Sequence, residues 1–152
     1  MTTNLTLNDP DNEVEFLAFS AFSKYKFSIP GFAYDHINND IIEKALQSEE
    51  FENVNINCGW EQDTYLLNAS HLDDEFKHAL RIAKIINLIL DGTFKFTPVN
   101  FDTHYIEKCM SGISDGHHRI RALRYLGYSE IPCYLSGSEQ IIDELLYLTS
   151  IH

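Results

Sequence analysis

The strongest pattern of hydrophobic positions runs through residues 72–90. Leu72, Phe76, Ala79, Leu80, Ala83, Ile86 and Leu90 recur at helical spacing, which predicts a helix with one apolar face. Ser70 is placed to cap it, Asp73 and Asp74 suit its positive end, and Gly92 is placed to end it. Lys77, Arg81 and Lys84 fall at i, i+4 and i+7 and share another face. A second helix is predicted over residues 117–126, with Ile120, Leu123 and Leu126 as its buried row and Gly127 as its stop. A third, over 139–148, follows the Ser136-Gly137-Ser138 turn. Asn39 is placed to cap a helix over 40–51, with Ile42, Ala45 and Leu46 on one face.

Alternation predicts the strands. Tyr25, Phe27 and Ile29 alternate up to a Pro30-Gly31 turn, and Val54, Ile56 and Cys58 alternate with asparagines. Residues 65–69 read as extended. Residues 94–101 read as a strand broken by Pro98, which favours a sheet edge or a strand end. Residues 131–135 form a short strand, and 109–114 a connection or strand leading into the second of these helices. Residues 14–22 are apolar with aromatics, and the polar residues 1–12 read as a flexible arm. The fold class expected is α+β (mixed α/β), a single compact domain over residues 13–152. The strand–helix–strand order around residues 117–126 implies some parallel pairing.

Composition narrows this further. A chain of 152 residues with 44% hydrophobic and 12% aromatic content can bury its own core. It holds no apolar run of membrane-spanning length, about 18 residues, and residues 1–12 lack the pattern of a signal peptide. Cys58, Cys109 and Cys133 show no C-x-x-C pairing, so reduced thiols in a cytoplasmic setting are expected, without structural zinc. The net charge of −12 opposes binding to DNA or anionic membranes. That charge is uneven. Residues 1–76 carry 3 Lys/Arg against 15 Asp/Glu, and residues 125–152 carry none against 4. Residues 77–124 carry 8 against 4, a local excess of +4. The acidic first half is a candidate surface for a protein partner. The basic stretch suits a small anion.

The candidate chemistry lies at the end of that basic stretch, in Ser114-Asp115-Gly116-His117-His118-Arg119-Ile120-Arg121-Ala122. Asp115 and Gly116 turn the chain, and glycine permits positive φ and close approach of a ligand to backbone. The helix that follows offers unpaired amides and the positive end of its dipole to an anion. Two histidines and an arginine in a first turn oppose that dipole by about 0.3–1 kcal/mol each when charged. Such a conflict between local stability and residue choice marks functional sites. His117, Arg121 and Arg124 also share a face. Asp115 has three open roles: helix N-cap, orienter of a histidine, or acid–base group for a substrate hydroxyl.

On these residues the stretch 81–137 resembles the ParB/sulfiredoxin superfamily. The resemblance is carried by I-S-D-G-H-H-R-I-R-A-L-R-Y-L-G followed by I-P-C-Y-L, after a helix ending at Gly92 and a strand around Pro98-Val99. ParB proteins read G-E-R-R-x-R-A here and grip CTP phosphates. Gly116, Arg119, Arg121 and Ala122 match, whereas His117 and His118 differ. Sulfiredoxins read G-G-C-H-R. Gly116, His118 and Arg119 match, but His117 stands at the catalytic cysteine, which argues against that activity. Free serine kinases of this fold have an aspartate where Asp115 stands and a glutamate from an N-terminal strand, for which Glu13 and Glu15 are candidates by position only. D-G-Q-H-R proteins of DNA-modification systems differ at His117.

The resemblance implies a nucleotide-phosphate pocket of Gly116, His117, His118, Arg119 and Arg121, with Asp115 and His117 as candidate catalytic groups. The implied ligand is ATP, ADP or CTP, with Mg²⁺ bridging its phosphates. The implied activity is NTP hydrolysis, phosphoryl transfer to a small hydroxyl compound, or a nucleotide switch. Two other classes stand beside it: a non-enzymatic acidic interaction or immunity-type protein, and a DNA-associated protein. The net charge and the lack of a helix-turn-helix pattern disfavour the last.

Elsewhere Asp102-x-His104 is half a metal site and equally a surface loop. His71 and His78 read as surface histidines. Trp60 and Tyr65 read as core aromatics more than as a base stack. Neither a G-x-S-x-G elbow nor a Walker A sequence is present.

Overall fold

Helix α4 organises the larger of two cores. In the computed structural model, which describes residues 5–24, 32–56, 62–108, 112–113 and 115–151, this helix spans Asp74–Asp91. It begins where the Asp73 carboxylate accepts from Phe76 N at 2.7 Å, and it ends at Gly92 in the left-handed region (φ 81°). Asp73, not Ser70, is therefore the cap. Five consecutive residues, 79–83, are buried, so the middle of α4 is enclosed on every side rather than along one stripe. Helices α2 (Asn39–Leu46) and α5 (His117–Tyr125) pack against it. Leu80, Ile82, Ile86, Phe96 and Leu123 are fully buried in this core. Each such side chain stabilises by about 1.5–3 kcal/mol through removal of apolar surface from water.

The second core lies on a three-stranded sheet ordered β2–β5–β4, formed by Glu15–Ala18, Glu130–Ser136 and Val99–Asp102. Strands β4 and β5 are parallel, with Val99 opposite Cys133, and α5 makes the crossover between them. The parallel strand–helix–strand unit expected from the sequence is present. Strand β2 pairs antiparallel to β5, placing Leu17 opposite Ile131. Helices α1 (Phe19–Lys24) and α6 (Glu139–Ser150) cover this sheet, and Phe22 meets Phe32 and Phe101 edge to face. Ile120 of α5 joins this core, whereas Ala122 and Leu123 join the first. The fold is a mixed α+β single domain, as its pattern implied.

Several local expectations change. Residues 5–12 are docked rather than a loose arm. Strand β1 (Thr6–Leu7) pairs in parallel with β3 (Lys95–Phe96), and the Asp9 carboxylate accepts from Glu13 N, Val14 N and the Tyr134 hydroxyl. Pro98 does not merely weaken a strand; it separates β3 from β4, which lie in different sheets. The helix expected over 40–51 is split. Asn38 caps α2, and Ser48 caps a 3-10 turn over Glu49–Asn53. Residues 65–68 lie in a helix, α3 (Thr64–Asn68), with Ala69 as its C-cap, because the Asp63 carboxylate accepts from Leu66 N at 3.2 Å. Residues 54–56 form no strand. The strand expected at 25–29, its Pro30-Gly31 turn, Cys58, Trp60, Cys109 and Ser114 lie outside the described residues. Cys133 is buried as a free thiol. Among the described residues no helix is long and apolar enough to cross a membrane.

The turn into α6 rests on one buried hydroxyl. Thr103 Oγ1 donates to Ser136 O at 2.9 Å and accepts from Ser138 N at 2.7 Å. Thr103→Val keeps the shape and leaves both backbone groups unpaired, so urea unfolding is expected to show a loss of about 1–3 kcal/mol. An unchanged midpoint would mean that this hydroxyl does not hold the turn.

Candidate functional site

The N-terminus of α5 is built around Gly116. This residue is the N-cap at φ 104°, and as a glycine it brings no capping side chain. A Cβ there would meet Val99 Cγ1 at 2.4 Å and Arg119 Nη2 at 2.8 Å. Close packing on strand β4, as well as the backbone angle, therefore requires glycine. Asp115 is not the cap. The first internal amide bond runs from Ile120 N to Gly116 O at 2.9 Å, and the first turn contains no acid to match the dipole.

The five motif side chains expected around one anion diverge. His117 turns back along the chain, its Nε2 lying 3.1 Å from Ile113 O. A carbonyl only accepts, so Nε2 carries the proton, and Nδ1 is buried with no hydrogen-bond partner among the described residues. Arg121, one turn further along the same face, also points away from the cleft. Its Nε and Nη2 donate to Ile37 O at 3.0 and 2.7 Å, and Nη2 donates to Asn39 Oδ1 at 2.7 Å. Arg124 pairs with Asp35 at 3.3 Å. The face shared by His117, Arg121 and Arg124 thus clamps residues 34–39. Arg121 is nearly buried, and neither Arg121 nor His117 lines the cleft described next.

That cleft, of about 310 Å³, lies beside Asp115, Gly116, His118 and Arg119. Arg81 and Lys95 bring further cations, and Ile56, Ile85 and Phe94 form an apolar wall. Arg119 donates to Thr97 O through Nη1 and lies 3.3 Å from Asp115 Oδ2 through Nη2. Burial lowers the Arg119 pKa, with Asp115 opposing the effect, yet a guanidinium stays charged in proteins. Arg81 is nearly buried, donates to Asn55 O at 3.2 Å and lies 3.9 Å from the buried Asp63 carboxylate. The Asp115 side chain is 84% exposed, so it sits at the rim.

His118 supplies a neutral wall, not a cation. Its Nε2 lies 2.9 Å from His78 Nδ1, and its ring stacks on Tyr34 at 4.4 Å. Burial, reinforced by His78, Arg81, His117 and Arg119, pushes its pKa down to about 2. His78 is half-buried against the same tyrosine rather than on the surface, and burial lowers its pKa too, although Asp74 opposes the effect. The positive charge in the cleft therefore comes from Arg81, Lys95 and Arg119. Lys95 was not singled out in the sequence, where its one signal was a place in the basic stretch. Arg81 was visible only as a member of a helix face.

Among the described residues no group of three or more His, Cys, Asp or Glu side chains could hold a metal ion. Asp102 and His104 lie 3.5 Å apart as an exposed pair. His71 is an exposed partner of Glu50 at 3.1 Å. Glu15 begins strand β2 and does not line the cleft, and neither does Glu13. No protein-family model, curated protein or solved structure matches this chain.

The imidazole pair sets a direction for stability against pH. In the unfolded chain His118 titrates near 6.5, whereas in the folded protein it stays neutral down to about pH 2. Between those values the unfolded state binds the extra proton, so the contribution is complete above 6.5 and is lost as pH falls. Stability is expected to drop from pH 7 to pH 5 by up to about 1.4 kcal/mol per pH unit for one such group. Urea midpoints of wild type and His118→Asn across that range check it. The same slope in both proteins would place the effect elsewhere.

Proposed function

We propose that the cleft at the start of α5 binds the phosphates of a nucleotide. The observation that carries this reading is the convergence of Arg81, Lys95 and Arg119 on an uncapped helix N-terminus, within a protein of net charge −12. Fixed cations and oriented amides together suit a polyanion better than either does alone. The resemblance of residues 81–137 to the ParB/sulfiredoxin superfamily points the same way.

In this reading Arg119 and Lys95 grip the phosphates at the open side and Arg81 neutralises charge from the rear. Gly116 and the first-turn amides face the phosphate oxygens, and the His118 ring closes one wall. Asp115 is the carboxylate that lines the cleft, so it is the acid–base group of any phosphoryl transfer to a hydroxyl or to water. His117 and Arg121 act by holding residues 34–39 and the α5 turn, not by touching phosphate. One exposed carboxylate already paired with an arginine is not a protein-built metal site. Any Mg²⁺ would come with the nucleotide, carried mainly by its phosphates.

A ligand-panel thermal shift tests this. ATP, ADP, CTP, GTP and AMP are added with and without Mg²⁺ to wild type, Arg119→Ala and Lys95→Glu. A hundredfold excess over Kd stabilises by about 2.7 kcal/mol, a rise of several degrees in Tm. The expected result is a rise for at least one nucleotide in wild type that disappears in both variants. Lys95 is exposed, so its reversal tests charge with little effect on folding. No rise with any nucleotide in folded wild type would refute the reading and turn attention to a protein partner on the acidic half.

A further inference from the structure

The phosphate cleft does not end at Phe94. A second hollow, of about 480 Å³, shares Ile56, Phe94 and Lys95 with it. Its floor is apolar, made by Val54, Ile56, Leu88 and Phe94. Helix α4 gives the two spaces a common wall. Arg81 and Ile85 face the cleft, and Lys84 and Leu88 face the hollow. From Arg81 to Leu88 the wall runs along about 10 Å of helix axis.

The start of α5 opens on the cleft end alone, through Gly116, His118 and Arg119. Cations at both ends have acidic neighbours: Lys84 lies 4.0 Å from Glu52 at the hollow, and Arg81 and Arg119 lie 3.9 Å from Asp63 and 3.3 Å from Asp115 at the cleft. The helix amides thus suit the cleft end to a polyanion, and Val54, Leu88 and Phe94 suit the other to a flat neutral group. Phe94 stands between them, half-buried and steeply inclined (84°) to the Phe96 ring behind it. Thr93 adds a polar group at the hollow's edge, beside the aromatic side chain.

We infer that this hollow takes the nucleoside of the ligand, with its base against Phe94 and Leu88, while the polyphosphate lies at the start of α5. The inference rests on the nucleotide reading above and adds to it the place and chemistry of the organic half. It makes the ligand a nucleoside polyphosphate held at both ends rather than a bare phosphate chain gripped by cations. Lys95, common to both spaces, lies where the two halves of that ligand join.

Calorimetric titration of the full chain with ATP, CTP, GTP and inorganic tripolyphosphate separates the two ends. Wild type is expected to bind at least one nucleoside triphosphate more tightly than tripolyphosphate. Phe94→Ala is expected to weaken that nucleotide by about tenfold or more, the scale of one lost base–aromatic stack, and to weaken tripolyphosphate much less, because the ring is only part of the apolar wall of the phosphate cleft. Retained tripolyphosphate binding also reports an intact fold. If Phe94→Ala loses both ligands, Phe94→Leu decides, because it keeps apolar bulk and removes only the ring. Equal affinity for nucleotide and tripolyphosphate in wild type would overturn the inference and leave an anion site standing. So would nucleotide binding unaffected by loss of the ring. Absence of binding by all four compounds would overturn the nucleotide reading itself, and this inference with it.

Discussion

Helix α5 belongs to two cores at once, and the rest of the structure depends on that double seating. Ile120 is buried on the sheet side, and Ala122 and Leu123 are buried against α4. A helix fixed on two sides has no freedom to rotate, so the direction of every side chain in its first turn is set. Gly116 completes the constraint by letting β4 approach to where a Cβ would overlap Val99. The consequence is an N-terminus held against the strand with its amides uncapped. Substituting any larger residue at Gly116 would force the helix off one of its two cores.

Desolvation then decides which motif residues remain available for chemistry. Five polar side chains stand at positions 115, 117, 118, 119 and 121, and a sequence reading groups them by type. Burial sorts them differently. Arg121 is almost completely enclosed and satisfies three hydrogen bonds on the segment around Ile37, since an unpaired buried guanidinium would be very costly. His118 is held neutral because a second proton between two stacked imidazoles and a tyrosine ring has neither solvent nor anion to stabilise it. Arg119 keeps its charge at the mouth of the cleft. The field there is built by one motif residue and by two cations from distant parts of the chain.

The legibility of each element follows from how local its cause is. Helices α4, α5 and α6 were readable because their periodicity is long and their ends carry Gly92, Gly127 and Ser138. The parallel pairing of β4 and β5 followed from the helix between them. Helix α3 was misread as extended because its five residues are too short for a period, and its cause is one carboxylate, Asp63, which also sits beside Arg81. The docking of residues 5–12 depends on β3 and on Tyr134, about 90 and 125 positions away, and nothing in the segment itself announces those partners. The site divides in the same way. Gly116, Arg119 and the uncapped helix were visible as a motif. Lys95 and Arg81 become its neighbours only through the sheet and the α4 packing.

A strongly acidic protein with a basic cleft has a physical advantage for selecting small anions. At physiological ionic strength charges more than about 8 Å apart are largely screened, so an anion already inside the cleft responds mainly to the nearby cations. A long polyanion such as DNA must also lie across the outer surface, where acids outnumber bases. In the proposed reading, the same charges would favour a compact phosphate group over an extended polyanion. Arg81 and Arg119 are recessed by their burial, whereas Lys95 stands exposed beside them. In that reading the net charge of −12 and the local excess of +4 would act together as a filter on ligand size.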